Sequence, residues 1–325
     1  MNTEIESSEY QARARLTRRA FLSLAGAAGA AFSLSPRRLF AEESLSVTAF
    51  RNSAASARIT VTKLRGNTSV LEGSGGNIAV LTGRDGTLLV DSGLAGSRQQ
   101  ITEALASISA KPVTHLIDTH WHFDHTDGND WLHSEGAVIT AHENTRQHLS
   151  VATRMEAWKF TFPPAPVGAL PTTVFEEEHR MSVNGTTLVL KHYPPAHTDS
   201  DISVEFTDAD ILHVADTWLN GHYPFIDYST GGNIDGTIHA AETNVNRAGE
   251  KTIVIPGHGE IGNKAGLIEY RDMLVAVREK VAALKKSGMS LDEVISAAPT
   301  AAHDAKWGTW LIDGKTFTSL VYAGV

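Results

Sequence analysis

Residues 118 to 129 read DTHWHFDHTDGN and place four side chains able to bind a metal, His120, His122, Asp124 and His125, within six positions. Folding alone does not ask for that crowding, because each such group costs free energy when it is buried without a partner. In an extended chain the side chains of His120, His122 and Asp124 share one face. His125 adjoins Asp124, so the chain must turn there if both are to serve one site, and Asp127-Gly128-Asn129 supplies a turn just beyond. Four ligands cannot complete the coordination shells of two metals. Three later positions fit the need: His197 in YPPAHTDSD, Asp216 in ILHVADTWL and His258 in TIVIPGHGE. Each ends an apolar strand and enters a turn, where side chains gather at one sheet edge. Singly, each reads as well as a solvated loop residue, so the weight lies in the set.

The rest of the chain must position these groups. It has 325 residues, 42% of them hydrophobic, enough for a large core. A formal charge of −9 argues against a nucleic-acid partner, since a polyanion normally needs a basic face. Cysteine is absent, which excludes disulfides, thiolate nucleophiles and Cys-ligated zinc together.

From Ile59 the pattern is β-rich: ITVTKL and NTSVLEG read as strands. NIAVLTGRDGTLLVDSG reads as a hairpin turning through Asp85-Gly86, a pair suited to a type I′ turn. GSRQQITEALASIS has helical spacing, with Ile101, Leu105 and Ile108 on one face and Ser97 as a cap candidate. VTHLIDT is a buried-type strand that runs into the histidine segment. MSVNGTTLVLKHY is a second hairpin, through Asn184-Gly185. TIHAAETNV and residues 264–286 read as helices. Residues 152–173, with Trp158, Phe160, Phe162 and four prolines, read as a long loop with an aromatic tip. Two β-rich halves with helices between them predict an α/β domain of two stacked sheets, helices outside.

On these residues the chain resembles the metallo-β-lactamase fold superfamily. The resemblance runs from about Asn67 to Gly262, with VDSG (Asp91) and THWHFDH, an H-x-H-x-D-H motif, followed by His197, Asp216 and His258 in order. It implies a four-layer αββα sandwich of two mixed sheets. It also implies that His120, His122 and His197 bind one metal, that Asp124, His125 and His258 bind a second, and that Asp216 bridges the two. Asp91 would orient the histidine loop. Nitrogen and oxygen donors suit two Zn(II), and iron or manganese accept the same set. Two such metals share a water and lower its pKa, giving a nucleophile for an acyl-type bond in a lactam, lactone or thioester. Asp124 is the candidate for orienting that nucleophile and taking a proton. The bridging Asp216 points toward the glyoxalase II and lactonase branches, although AHTDSD departs from the GHTPG usual in glyoxalase II. Trp158, His222, Tyr223 and Asn233 are candidates for holding a small-molecule substrate. His115, His142 and His213 read as structural. The rivals are an iron-dependent redox enzyme on the same fold and a binding protein without activity.

The first residues form a segment of their own. Thr17-Arg18-Arg19-Ala20-Phe21-Leu22 resembles a twin-arginine export signal, followed by a weakly apolar stretch and Ala41 at a cleavage position. The resemblance implies use of the twin-arginine export machinery, a signal over 1–41, a hydrolase domain over 42–325 and a periplasmic destination without a stable membrane anchor. Segment 1–41 holds six Arg and three Glu, net +3, so the remainder carries −9 − 3 = −12.

Overall fold

The computed structural model describes residues 45–325. The proposed signal and its boundary at residue 41 lie outside the described residues. The described chain opens with helix α1 (Leu45–Ala54) and folds as two mixed sheets with helices outside. In the first sheet, β1 (Thr60–Lys63), β2 (Thr68–Glu72), β3 (Ile78–Gly83) and β4 (Gly86–Val90) form an antiparallel meander. β5 (Val113–Ile117), β6 (Val138–His142) and β9 (Thr173–Phe175) then join parallel to β4. The second sheet runs β10 (Glu178–Val183), β11 (Thr186–His192), β12 (Ile202–Phe206), β13 (Ile211–Leu219) and β14 (Ile253–His258), with only β13 and β14 parallel.

The pleat sorts each strand's side chains between two cores. Val70, Leu88, Val90 and Ile117 face inward and meet Leu188, Leu190, Val204 and Ile255 of the second sheet. Their neighbours Leu71, Leu89 and Leu116 face outward. They pack on Ile101 of α2 (Arg98–Ile108) and on Trp131 and Leu132 of α4 (Asn129–Ser134), with α3 (Phe123–Thr126) lying between those helices in the chain. On the far side, Leu212, Val214 and Trp218 of β13 pack against α6 (Ile234–Arg247), α7 (Lys264–Lys286) and α10 (Gly314–Gly324). Helix α5 (Glu143–Ser150) follows β6, and the short α8 (Leu291–Ser296) and α9 (Asp304–Trp307) lead to α10. The result is the four-layer αββα sandwich. Among the described residues, no helix is long and apolar enough to cross a membrane.

Local readings differ from the structure in four places. The β3–β4 register pairs Gly83 with Gly86, so Arg84-Asp85 is the loop, and neither residue has the positive φ of a type I′ turn. Cross-sheet bonds hold it instead: the Asp85 amide donates to Asn184 Oδ1 and the Asn184 amide to Asp85 Oδ2, at 2.9 and 2.8 Å. Asn184 and Gly185, at φ 54° and 79°, do form the expected turn of the other hairpin. Ser97 precedes α2 without capping it, because its hydroxyl donates to the Ala54 carbonyl at 2.8 Å. Residues 152–173 are not a plain loop: β7 (Thr153–Met155) and β8 (Phe160–Phe162) pair as a small hairpin with Trp158 at its tip, and β9 closes the stretch. The chain also leaves the extended form after β5, bending over residues 119–121, and Asp124 and His125 sit on the first turn of α3 rather than on one face with His120 and His122.

Candidate metal centre

All seven candidate ligands meet at one edge of the sandwich. His120 and His122 follow the C-terminal end of β5, Asp124 and His125 ride on α3, His197 lies in the β11–β12 loop, Asp216 is in the second half of β13, and His258 ends β14. Carboxyl ends of parallel strands are where open α/β sheets place their ligands, since the connections there are free to vary. Two groups result, His120, His122, His197 and Asp216 in one and Asp124, His125 and His258 in the other. Within each, donor atoms lie within 4.8 Å of one another.

The hydrogen bonds decide which ring atoms face inward. His197 Nδ1 donates to the Phe225 carbonyl at 2.7 Å, an oxygen that can only accept. His122 Nε2 donates to Asp227 Oδ2 at 3.2 Å, and His125 Nδ1 to Asp91 Oδ2 at 2.8 Å. The Thr119 hydroxyl donates to Asp91 Oδ2 and so receives from His120 Nδ1, at 2.8 and 3.1 Å. Each of these four rings is therefore anchored by its outer nitrogen and turns its second nitrogen inward. His197 Nε2 and His122 Nδ1 come within 2.9 Å, and His120 Nε2 is buried with no partner at all. Such a set is unfavourable alone and favourable around a cation, so the residues present fit a metal pair.

Asp216 lies between the groups. Its Oδ1 is 3.2 Å from His125 Nε2 without forming a hydrogen bond, and its Oδ2 is 3.5 and 3.6 Å from His197 and His258 Nε2. A bulge in β13 at Ala215, with φ 46°, lifts that carboxylate toward the edge. Gly257 makes room for it, since a Cβ there would strike Asp216 Oδ1, and a Cβ at Gly76 would strike the His125 ring.

The electrostatics follow from burial and from these contacts. Burial pushes Asp124 up, but the charges of His125 and His258 outweigh it and hold its carboxyl at about 2. Burial lowers His125, yet Asp216, Asp124 and Asp91 together raise it well above its ordinary value. Burial and the nearby His125 keep His120 well below its own. Asp227, pushed up by burial, is held at about 2 by its bonds with His122, Thr230 and Ser229.

The profile of the metallo-beta-lactamase superfamily matches residues 71–258, more than half of the chain. The chain belongs to that superfamily. Members are in general metal-dependent hydrolases, and this protein is a hydrolase of that kind with a His/Asp cluster able to bind metal. Among solved structures it is similar to DIM-1 metallo-beta-lactamase, at 20% identity and a TM-score of 0.53 over 67% of this chain and 97% of that one. It is also similar to a metallo-beta-lactamase from Pontibacter korlensis, at 18% identity and a TM-score of 0.54 over 67% and 99%. The stereoselective inverting sec-alkylsulfatase Pisa1 from Pseudomonas sp. aligns with 84% of this chain, at 14% identity and a TM-score of 0.62, but with only 51% of its own length. At these identities the likeness speaks to the superfamily fold alone.

The substrate candidates separate in the structure. Trp158 borders a cavity of about 40 Å³ that opens on His122, Asp124, Asp216 and His258. His222 sits beside its rim, ring centroid 4.9 Å from Trp310, which in turn is 5.1 Å from His258. Tyr223 does not reach the cavity: it is fully buried, stacks on Phe317 and donates to Asp304 Oδ1 at 2.9 Å. Asn233 is the cap of α6, accepting from the Gly236 amide at 2.7 Å and donating to the Pro195 carbonyl at 3.0 Å. Both readings are therefore corrected, because proximity in sequence to Asp216 does not carry across the turn that follows it. His115, His142 and His213 stay outside both groups. They bond Thr114, stack on His192 and bond the Asn77 carbonyl, respectively.

Asp91 accepts from the Thr119 amide, the Thr119 hydroxyl and His125 at 2.8 Å each. Sequence reasoning missed Asp227, which does for His122 what Asp91 does for His125; the two are 105 positions apart and share no motif. Asp227→Asn is expected to weaken metal binding about 10- to 100-fold, because the amide cannot fix the imidazole as a charged acceptor does. Competitive chelator titration reads this, and an unchanged affinity would remove Asp227 from the support of the site.

Proposed function

We propose that the protein is a dinuclear hydrolase, with two Zn(II) ions as the simplest occupants, that cleaves an acyl-type bond in a lactam, lactone or thioester. The carrying observation is the position of Asp216 between two groups of inward-aimed donors, His120, His122 and His197 on one side and Asp124, His125 and His258 on the other. When bound, the ions supply an activated water and polarise the acyl oxygen. The chain's own residues do the rest. Asp124 is ionised, borders the cavity, and has Oδ2 3.2 Å from His258 Nε2, so it can orient the attacking water and take its proton. Asp91 and Asp227 hold His125 and His122 against rotation, which keeps the donor geometry fixed during turnover. The aromatic side chains around the cavity limit access of bulk water.

We further propose that residues 1–41 direct twin-arginine export and that the working enzyme is periplasmic. A folded passenger would reach that compartment with its metals already in place. N-terminal sequencing of exported protein is expected to begin near Glu42, and an intact Met1 on that material would refute cleavage.

Asp124→Ala is expected to cut kcat on any ester or lactam substrate by about 10²-fold or more while the circular dichroism spectrum and melting profile persist. Turnover unchanged by this substitution would exclude Asp124 from the reaction.

A further inference from the structure

The cavity over the candidate metal centre is walled by carbon. Phe50 comes from α1, Trp158 from the β7–β8 hairpin, Leu219 and Phe225 from the end of β13 and its following turn, and Trp310 and Leu311 from the turn before α10. The rings pack on one another. Phe50 stacks on Trp158 with centroids 5.8 Å apart, and Trp158 meets Phe225 edge-on at 5.9 Å. The polar groups bordering the cavity are the histidines and carboxylates of the metal centre itself, and among the described residues no lysine or arginine borders it. The nearest cation in sequence to Phe50 is Arg51, and its charge is committed. It grips Asp127 with two hydrogen bonds of 2.8 and 2.6 Å, and its guanidinium lies over the Phe123 ring, 5.4 Å from the centroid.

We propose that this cavity selects an uncharged ester, lactone or thioester whose acyl group is an aliphatic chain or an aromatic ring carrying no carboxylate. The inference rests on the hydrolase reading and narrows it. An apolar acyl group entering among these rings leaves water for a matched surface, a gain in proportion to the area covered. An anionic group at the far end of the acyl chain, away from the metal ions, would meet carbon walls with no lysine or arginine among them and would shed its hydration uncompensated. The 40 Å³ of open space holds little more than a water, so the acyl group enters by displacing side chains at the rim. Trp158 and Trp310 are half-buried and Leu311 is 40% exposed, so all three stand where the cavity meets solvent. The reaction itself is ordinary hydrolysis. The water oxygen bonds to the acyl carbon, the bond to the leaving oxygen or sulfur breaks, and the proton taken from water passes to that leaving atom.

The test uses zinc-loaded protein and three 4-nitrophenyl esters: acetate, hexanoate, and the adipate monoester, which matches hexanoate in chain length but ends in a carboxylate. Hexanoate is expected to exceed the adipate monoester in kcat/KM by at least about tenfold. Trp158→Ala is expected to lower the ratio of hexanoate to acetate by about fivefold or more. Leu311→Lys, at an exposed rim position, is expected to raise the adipate monoester rate relative to hexanoate by a similar factor, which a merely structural role for Leu311 would not do. The uncharged dye N-phenyl-1-naphthylamine separates the two readings, since its brightening on the same protein should weaken in Trp158→Ala whether or not an ester is cleaved. Dye binding that depends on Trp158, without turnover of these esters or of a lactam, lactone or thioester offered alongside them, overturns the acyl-bond reading alone. An adipate monoester cleaved as well as hexanoate, or a Leu311→Lys variant with the wild-type preference, overturns the proposed selectivity.

Discussion

Nitrogen lone pairs that point at one another are the constraint around which this molecule is arranged. His122 and His197 bring theirs to 2.9 Å, and His120 Nε2 is sealed from water with nothing to accept from. A buried polar atom left unpaired costs about 1–3 kcal/mol, so the arrangement subtracts from the stability of the metal-free chain. The outer nitrogens cannot relax the conflict, because Phe225, Asp227, Asp91 and Thr119 each claim one of them. Only a positive ion among the inner nitrogens turns the cost into a gain.

The sandwich is what makes this strain tolerable. The ligands sit toward the C-terminal ends of β5, β13 and β14; β13 and β14 are buried on both faces for most of their length, and β5 becomes buried at its last two residues. Two of the backbone distortions lie at that edge. Asp91, at φ 68°, places its carboxylate under the histidine segment, and an aspartate adopts this backbone more readily than a branched residue would. Ala215, also at positive φ, opens the bulge that presents Asp216. The glycines at 76 and 257 are the counterpart, since they let a ring and a carboxylate lie directly against backbone. Rigid sheets, a strained rim and donors held from behind together set the site before any ligand arrives.

What could be read from the chain beforehand follows the range of the interactions involved. The strand that ends at His258, the Asn184-Gly185 hairpin and the long helix over 264–286 are local patterns that the structure reproduces, whereas Asp216 lies within β13 rather than at its end. Features set by distant partners were hidden. Asp85 turns as it does because Asn184 of the other sheet binds it, and Ser97 fails to cap α2 because Ala54 takes its hydroxyl. Tyr223 looked free for a substrate because nothing near it in sequence reveals Asp304 and Phe317. The cavity walls come from residues 50, 158, 225 and 310, whose meeting no local pattern encodes.

The account stands on two ions sharing Asp216. Crystals of the protein grown with zinc, measured at the zinc absorption edge, test this most directly. The expected anomalous map has two peaks about 3.5–4 Å apart, one among His120, His122 and His197, the other among Asp124, His125 and His258, with Asp216 touching both. A single peak, or none within reach of these side chains, would contradict it.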